Sequence, residues 1–376
     1  MALRDAEPEA TPYPRSRRRA VPPPSARATA LCAAVVATAL AAAAAAQSAP
    51  LNRLQAPQRS DIGRAGVAIK DSTLSAKAVV PSGSWGGAYR VATGESVTVF
   101  ASSSYPVDPA MGQRWADFLD SLVHGSELSS VVVFLAPGNQ VSRLCGADAV
   151  ACYSSQDNLL VAPGEDPGSD LSAEAVVTHE YGHHVAAHRV NPPWSALDYG
   201  TKRWASAMQI CARAKKGDLA PGAEDPVQYD VNPGEGFAES YRVLNERLAG
   251  RIETPWQIVS NILYPSDTAL TMLQQDVTNP WAQDSTTTST ARFTRTARTR
   301  TYTVATPLDG TMRVSLRSAA GLRASLDVFA AGKRVAHAAG SGTLARSATV
   351  CGQRSYKVRV RALRGNGAVS LALSKP

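Results

Sequence analysis

The segment THEYGHH sets His179, Glu180 and His183 in the order His-Glu-x-x-His, inside a largely apolar stretch that opens AEAVV at Ala173. Residues four apart on a helix lie one turn above each other, so both imidazoles would face one point, the spacing of a zinc site. Glu180 stands beside the first histidine, where its carboxylate can reach a water on the ion. Zinc lowers the pKa of such a water to about 7, so the expected chemistry is hydrolysis without a covalent intermediate. The competing reading is a histidine-rich helix with no metal. Val176, Val177, Tyr181, Gly182 and Val185 around the motif suit a helix buried in a core.

A catalytic zinc needs a third protein ligand and an open position. The metzincin arrangement would require Gly at 186 and His or Asp at 189, whereas the chain has Ala186 and Arg189. Downstream, NPGEGFAESYR places Glu235 and Glu239 on one face of a second helix, which Asn232 would cap and Pro233 would open. Glu235 is the expected third ligand. Glu239, one turn on, would accept the second ring N–H of a liganding histidine and fix its tautomer. Alternatives stay open: Glu235 could serve only as the capping-box partner of Asn232, Glu239 could be a solvated carboxylate, and the two could exchange roles. Asp198 in ALDYG is a lesser candidate ligand, without the GTxDxxYG pattern of aspzincins.

HEYGHH followed by GEGFAESY resembles the gluzincin branch of zinc metallopeptidases, and EGFAE is similar to the glutamate helix of anthrax-lethal-factor-like peptidases. The resemblance spans residues 95 to 275 and is specific at the metal site. It implies Glu235 as zinc ligand, Glu180 as general base and Glu239 as the supporting acid. It also implies an oxyanion donor, for which Tyr229, shortly before the glutamate helix, is the best match, with Tyr241 behind it. Tyrosines commonly pack with only the hydroxyl exposed, which is the plainer reading of Tyr229. His184 and His188 lack an adjacent acid and read as solvent-facing rather than as a second metal site; His124 and His337 read as surface residues. There is no G-x-S-x-G elbow, phosphate-binding glycine loop or CxxC pair.

The chain starts with an arginine-bearing segment and an alanine-rich run, read as a signal peptide over 1–46, with 47–80 a linker or propeptide. No other stretch is long and apolar enough to span a membrane, so the mature chain is expected to be exported. Cys145, Cys152, Cys211 and Cys351 remain, an even number: a local bridge and an interdomain bridge fit, and so do free buried thiols. Met111, Trp115, Phe118, Leu119 and Leu122 recur at helical spacing. SSVVVFLAP reads as a buried strand and ACYSSQDNLLVAP as a strand that, at the sheet edge, would let substrate add as a further strand. Helices are expected over 199–215, 233–249 and 267–275, and Asp170 is the expected cap of the motif helix, whose first turn carries Glu174.

The fold expected is an α+β zincin-like catalytic domain over 81–284, a Ser/Thr-rich linker at 285–291, and a small all-β sandwich over 292–376. The last segment resembles the bacterial pre-peptidase C-terminal domain, through strand spacing and a YKVRV strand read as one arm of a hairpin across Asn366-Gly367. From residue 285 there are 16 Lys/Arg and 2 Asp/Glu, against 17 and 26 over 47–284. The basic excess therefore belongs to the tail, where an anionic cell-envelope polymer is a candidate partner; nucleic acid is disfavoured because the arginines are not interleaved with aromatics. The reading as a whole is a secreted Zn2+-dependent endopeptidase acting on a peptide or protein. Its rival is an envelope-associated binding protein whose zinc is structural.

Overall fold

The computed structural model describes residues 80–376 except Asp148, Ser169, Pro226 and Gln353. The signal-peptide expectation, and nearly all of the linker or propeptide segment, lie outside the described residues. A mixed α/β region is followed by a β-sandwich.

The α/β region is built on a five-stranded sheet whose strands lie in the order Trp85–Arg90 (β1), Ser96–Ala101 (β2), Val132–Ala136 (β3), Leu159–Pro163 (β5) and Cys152–Ser154 (β4). Strand β1 pairs antiparallel with β2, which runs parallel to β3 and through it to β5. Both faces of a parallel interior strand are covered, which is why VVFLA and LLVAP read as continuous apolar runs. The segment read as one strand from Ala151 is a hairpin: Cys152–Ser154 (β4) turns back antiparallel on β5 and forms the edge of the sheet. Alternation divides its side chains. Cys152 joins Phe134, Val141, Cys145 and Val161 in one cluster, sealed by the Cys145–Cys152 disulfide. Tyr153 points instead to the helix Ala173–Ala187, where its ring meets His184.

That histidine helix is buried along nearly its whole length, and it packs against the helix Pro233–Leu248. Gly182 makes the close crossing possible. A β-carbon there would stand 2.9 Å from Cα of Ala238 and 3.2 Å from its carbonyl oxygen. The cap of the histidine helix is Ser172, whose hydroxyl accepts from Ala175 N at 3.1 Å, and Asp166 rather than Asp170 takes the N–H of Ala173. The helix expected over 199–215 is three short ones, Ala196–Tyr199, Lys202–Ala207 and Ile210–Ala214. Gly200 and Gln209, with φ of 75° and 57°, interrupt it in the left-handed region. Met111–Asp120 and Asp267–Thr278 are helical as their periodicity implies.

The sandwich contains two four-stranded sheets that enclose Met312, Leu316, Leu326, Val358 and Leu371 among others. One sheet has the order Lys333–Ser341 (β10), Arg323–Ala330 (β9), Arg354–Arg364 (β12) and Thr299–Thr306 (β7); the other has the order Thr343–Val350 (β11), Gly310–Ser318 (β8), Gly367–Lys375 (β13) and Ser285–Phe293 (β6). Two expectations are corrected here. The run read as a linker at 285–291 is most of strand β6, Ser285–Phe293, an edge strand whose threonines face water and whose composition mimics a linker. Arg354–Arg364 (β12) and Gly367–Lys375 (β13) do not form a hairpin. They lie in different sheets, so the Asn366-Gly367 corner carries the chain across the sandwich.

The sandwich is joined to the α/β region by the Cys211–Cys351 disulfide and by Asp309, 2 % exposed. Asp309 accepts from Cys211 N at 3.3 Å and from Gly352 N, while its own N–H donates to Ser206 Oγ at 2.7 Å. Burial raises its pKa against these donors. Lys202 lies beside it, 1 % exposed, bonded to Pro192 O at 2.7 Å and stacked 4.7 Å over Trp281.

The Cys211→Ser, Cys351→Ser variant is expected to lose about 2–4 kcal/mol, because the bridge closes a long loop; calorimetry that finds the native melting temperature would contradict this. Burial also lowers Lys202 from 10.5 to about 8. A depressed lysine pKa means the unfolded chain carries the extra proton between those values, so stability should rise with pH from about 8 to 10.5. Lys202→Met should remove that rise, as urea unfolding at pH 8 and pH 10 will show.

Candidate metal centre

Three donor atoms converge where the histidine helix crosses Pro233–Leu248. His179 Nε2 lies 3.2 Å from His183 Nε2 and 3.2 Å from Glu235 Oε2, and His183 Nε2 lies 3.4 Å from the same oxygen. Four ligands set tetrahedrally at about 2.0–2.1 Å from a metal stand about 3.3 Å from one another. The triangle is thus the size of one face of such a tetrahedron, and the group could hold a metal ion. All three residues are 2 % exposed or less.

The local folding explains the convergence. Asn232 caps the glutamate helix through Gly234 N at 2.9 Å, and Pro233 follows it, so Glu235 is left in the first turn with its carboxylate directed at the histidines. The capping-box alternative for Glu235 is not what the geometry shows. Glu239, one turn on, lies 3.4 Å from His179 Nδ1, the ring nitrogen facing away from the triangle. Glu235 rather than Glu239 therefore lies in the triangle, and Asp198 is not part of it.

Charge balance within this layer is close. Burial would lower His179, but Glu235 and Glu239 outweigh it and raise the imidazole to about 10. Burial would raise Glu235, and the two histidines hold it well below the usual carboxylate range. Glu239 is likewise lowered against its burial, by His179 and by Arg242. Arg242, 1 % exposed, bonds Glu239 through Nε at 2.5 Å and Glu246 through Nη1 at 2.6 Å. Glu246 in turn accepts from the hydroxyl and the N–H of Thr254 at 2.7 and 3.0 Å. Sequence reasoning passed over Arg242, although Glu239, Arg242 and Glu246 at successive helical turns were there to be read.

Glu180 is 0 % exposed and next to His179 on the helix, with both carboxylate oxygens enclosed. Tyr229 opens a 3-10 turn just before the Asn232 cap and is largely buried at 8 % exposure. It shares with Tyr153, Ser154, Asn232 and Glu235 the wall of a cavity of about 90 Å³. Tyr241 is not at this wall; its hydroxyl donates to Val123 O at 2.5 Å.

His184, expected to face solvent, is fully buried instead. Its Nδ1 lies 2.9 Å from the Tyr153 hydroxyl and its Nε2 lies 2.9 Å from Glu127 O, so it ties the histidine helix to the edge strand. Burial lowers it to about 4, keeping it neutral near pH 7. His188 and His337 are exposed as read, whereas His124 is half-buried beside Asp120 and Glu95.

No family model matches the chain, and no curated protein matches it. Among solved structures, it is similar to the pre-peptidase C-terminal domain of a collagenase from Bacillus anthracis, at 17 % identity over 23 % of this chain and 87 % of that one, with a TM-score of 0.21. It is also similar to the Yersinia pseudotuberculosis-derived mitogen, at 11 % identity over 25 % of this chain and 87 % of that one, with a TM-score of 0.22. TM-scores of this size carry no functional argument.

Glu239→Ala and Arg242→Met are expected to weaken metal binding about 10–100-fold each, since both remove support from a ligand's outer ring nitrogen. Competition with a chromophoric chelator measures this, with circular dichroism as the check on folding. Affinities within twofold of native would show that the support is irrelevant.

Proposed function

We propose that the chain is a secreted zinc-dependent endopeptidase of gluzincin type, its α/β region a zincin-like catalytic fold. The observation that carries the proposal is the 3.2, 3.2 and 3.4 Å triangle of His179, His183 and Glu235 with Glu180 on the same helix. Two imidazoles and a carboxylate are the donor set of a catalytic zinc site, and zinc bound there would supply a Lewis acid for a carbonyl and a lowered pKa for water. Export fits the two disulfides, Cys145–Cys152 and Cys211–Cys351, and none of the described helices is long and apolar enough to cross a membrane.

The roles of the chain's own groups follow from position. Glu180 receives the proton of the attacking water and returns it to the leaving amine. Its enclosure keeps bulk water out of this exchange. Tyr229, on the cavity wall with Glu235, donates to the oxyanion as it forms. Strand β4 supports an extended substrate: it is the edge of its sheet, and Tyr153 and Ser154 on it line the same cavity as Glu235. A peptide laid along β4 would satisfy its backbone by strand addition, with specificity left to alternate side chains.

Glu180→Gln is expected to bind one metal per chain with native affinity and to lose about 10²–10⁴-fold in hydrolysis of a quenched fluorescent peptide library. Glu235→Ala should lose the metal itself. Full hydrolysis by Glu180→Gln would sink the general-base role of Glu180, and no hydrolysis by the metal-loaded native chain would sink the peptidase assignment and leave a structural metal.

A further inference from the structure

The tail of the chain is basic in a particular way. Residues 285–376 hold 16 Lys/Arg and only Asp309 and Asp327 as acids, and these two are 2 % and 4 % exposed. No acidic side chain of the sandwich therefore reaches its surface.

The cations are ordered on one sheet. Register places Lys357 beside Thr303 and Phe329, Arg359 beside Thr301 and Asp327, and Arg361 beside Thr299 and Ser325. Tyr356, Val358 and Val360 between them are buried in the core, so this row faces outward. Alternate residues of a strand put its charges about 7 Å apart. Asp327 anchors the centre: His337 Nδ1 lies 2.7 Å from it, Arg334 Nη1 3.4 Å and Arg359 Nη2 3.7 Å. Arg359 also stacks 4.6 Å over the Phe329 ring. Two guanidinium groups are thus held in place by a buried carboxylate while their side chains stay 45 % and 54 % exposed. Holding them in advance removes part of the ordering cost that a flexible arginine would meet on binding.

We propose that this outward face of the β10-β9-β12-β7 sheet binds a linear polymer of phosphodiester-linked polyol or sugar units, independently of the metal centre. Guanidinium forks match phosphate oxygens in pairs, and an evenly spaced row of cations matches a chain with one negative charge per repeat. Thr299, Thr301 and Thr303 run parallel to the row on β7, all exposed, and offer hydroxyls to the polymer's own hydroxyls. Single-stranded nucleic acid is a poorer fit because its bases need bare aromatic faces, and Phe329 is already covered by Arg359.

The test measures retention of the full chain on immobilised poly(glycerol phosphate) at low and high salt. Native protein should bind with salt-sensitive affinity, and Lys357→Gln with Arg361→Gln should weaken it about tenfold and lessen the salt dependence. Arg313→Gln with Arg317→Gln, which removes two exposed cations from the opposite sheet, should change affinity less than twofold. Melting curves confirm folding; should the first variant not fold, Thr301→Glu sets a carboxylate in the middle of the same face and is expected to abolish retention. Absent retention of native protein overturns the proposal, as does equal weakening by both pairs, which would leave only net charge. Tighter binding of single-stranded DNA than of poly(glycerol phosphate) overturns the choice of polymer.

Discussion

Ionised groups in a protein interior must be compensated within a few ångströms, and the α/β region is arranged around one layer where that is done. His179, His183, Glu235, Glu239, Arg242 and Glu246 are all 6 % exposed or less. A carboxylate alone there would be costly, and removal of one member of such a set leaves its partner uncompensated. The set is arranged so that each has an opposite: Glu235 faces two imidazoles, Glu239 stands between His179 and Arg242, and Glu246 takes the far side of Arg242 and the backbone at Thr254. A divalent ion would replace the proton on His179 as the positive charge opposite Glu235, so the layer is prepared for a metal electrostatically as well as geometrically.

Such a layer requires two helices at very short range. Gly182 supplies the closeness by leaving Ala238 unobstructed, and it stands inside the motif, between Glu180 and His183. Its spacing role is separate from ligation. An alanine there would force a shift of several tenths of an ångström in a crossing whose donor triangle has sides of 3.2 to 3.4 Å. Overpacking of that kind costs about 1–3 kcal/mol and would be felt first as a misplaced Glu235.

What the sequence made legible were features whose signal is local. The four-residue spacing of His179 and His183, the Asn-Pro opening of the glutamate helix, the apolar runs of β3 and β5 and the alternation of β12 are set by neighbours in the chain. What it concealed depends on distant partners. His184 is indistinguishable by spacing from an exposed histidine until Tyr153 and Glu127 are seen against it. Strand β6 reads as a linker because an edge strand with exposed threonines has no apolar alternation to reveal it. The Asn366-Gly367 corner has the composition of a hairpin turn, yet Gly365 and Gly367, with φ of 78° and 149°, allow the chain to leave one sheet for the other.

The seating of the sandwich shows why the α/β region can hold so much charge without falling apart at its lower edge. Asp276, 2 % exposed on the helix Asp267–Thr278, accepts from the N–H groups of Arg203 and Trp204 at 2.7 and 3.1 Å and from Arg203 Nη1 at 2.9 Å. A carboxylate at those N–H groups fixes the start of Lys202–Ala207, and Ser206 at the other end of that short helix receives Asp309 N from the sandwich. Cys211, in the next helix, is bridged to Cys351. Three consecutive short helices would fray in isolation, since none is long enough to repay nucleation. They persist because one side is held by Asp276 and the other by the tail. The packing that orders the helices before the glutamate helix is thus partly supplied by the sandwich, whatever its outer face binds.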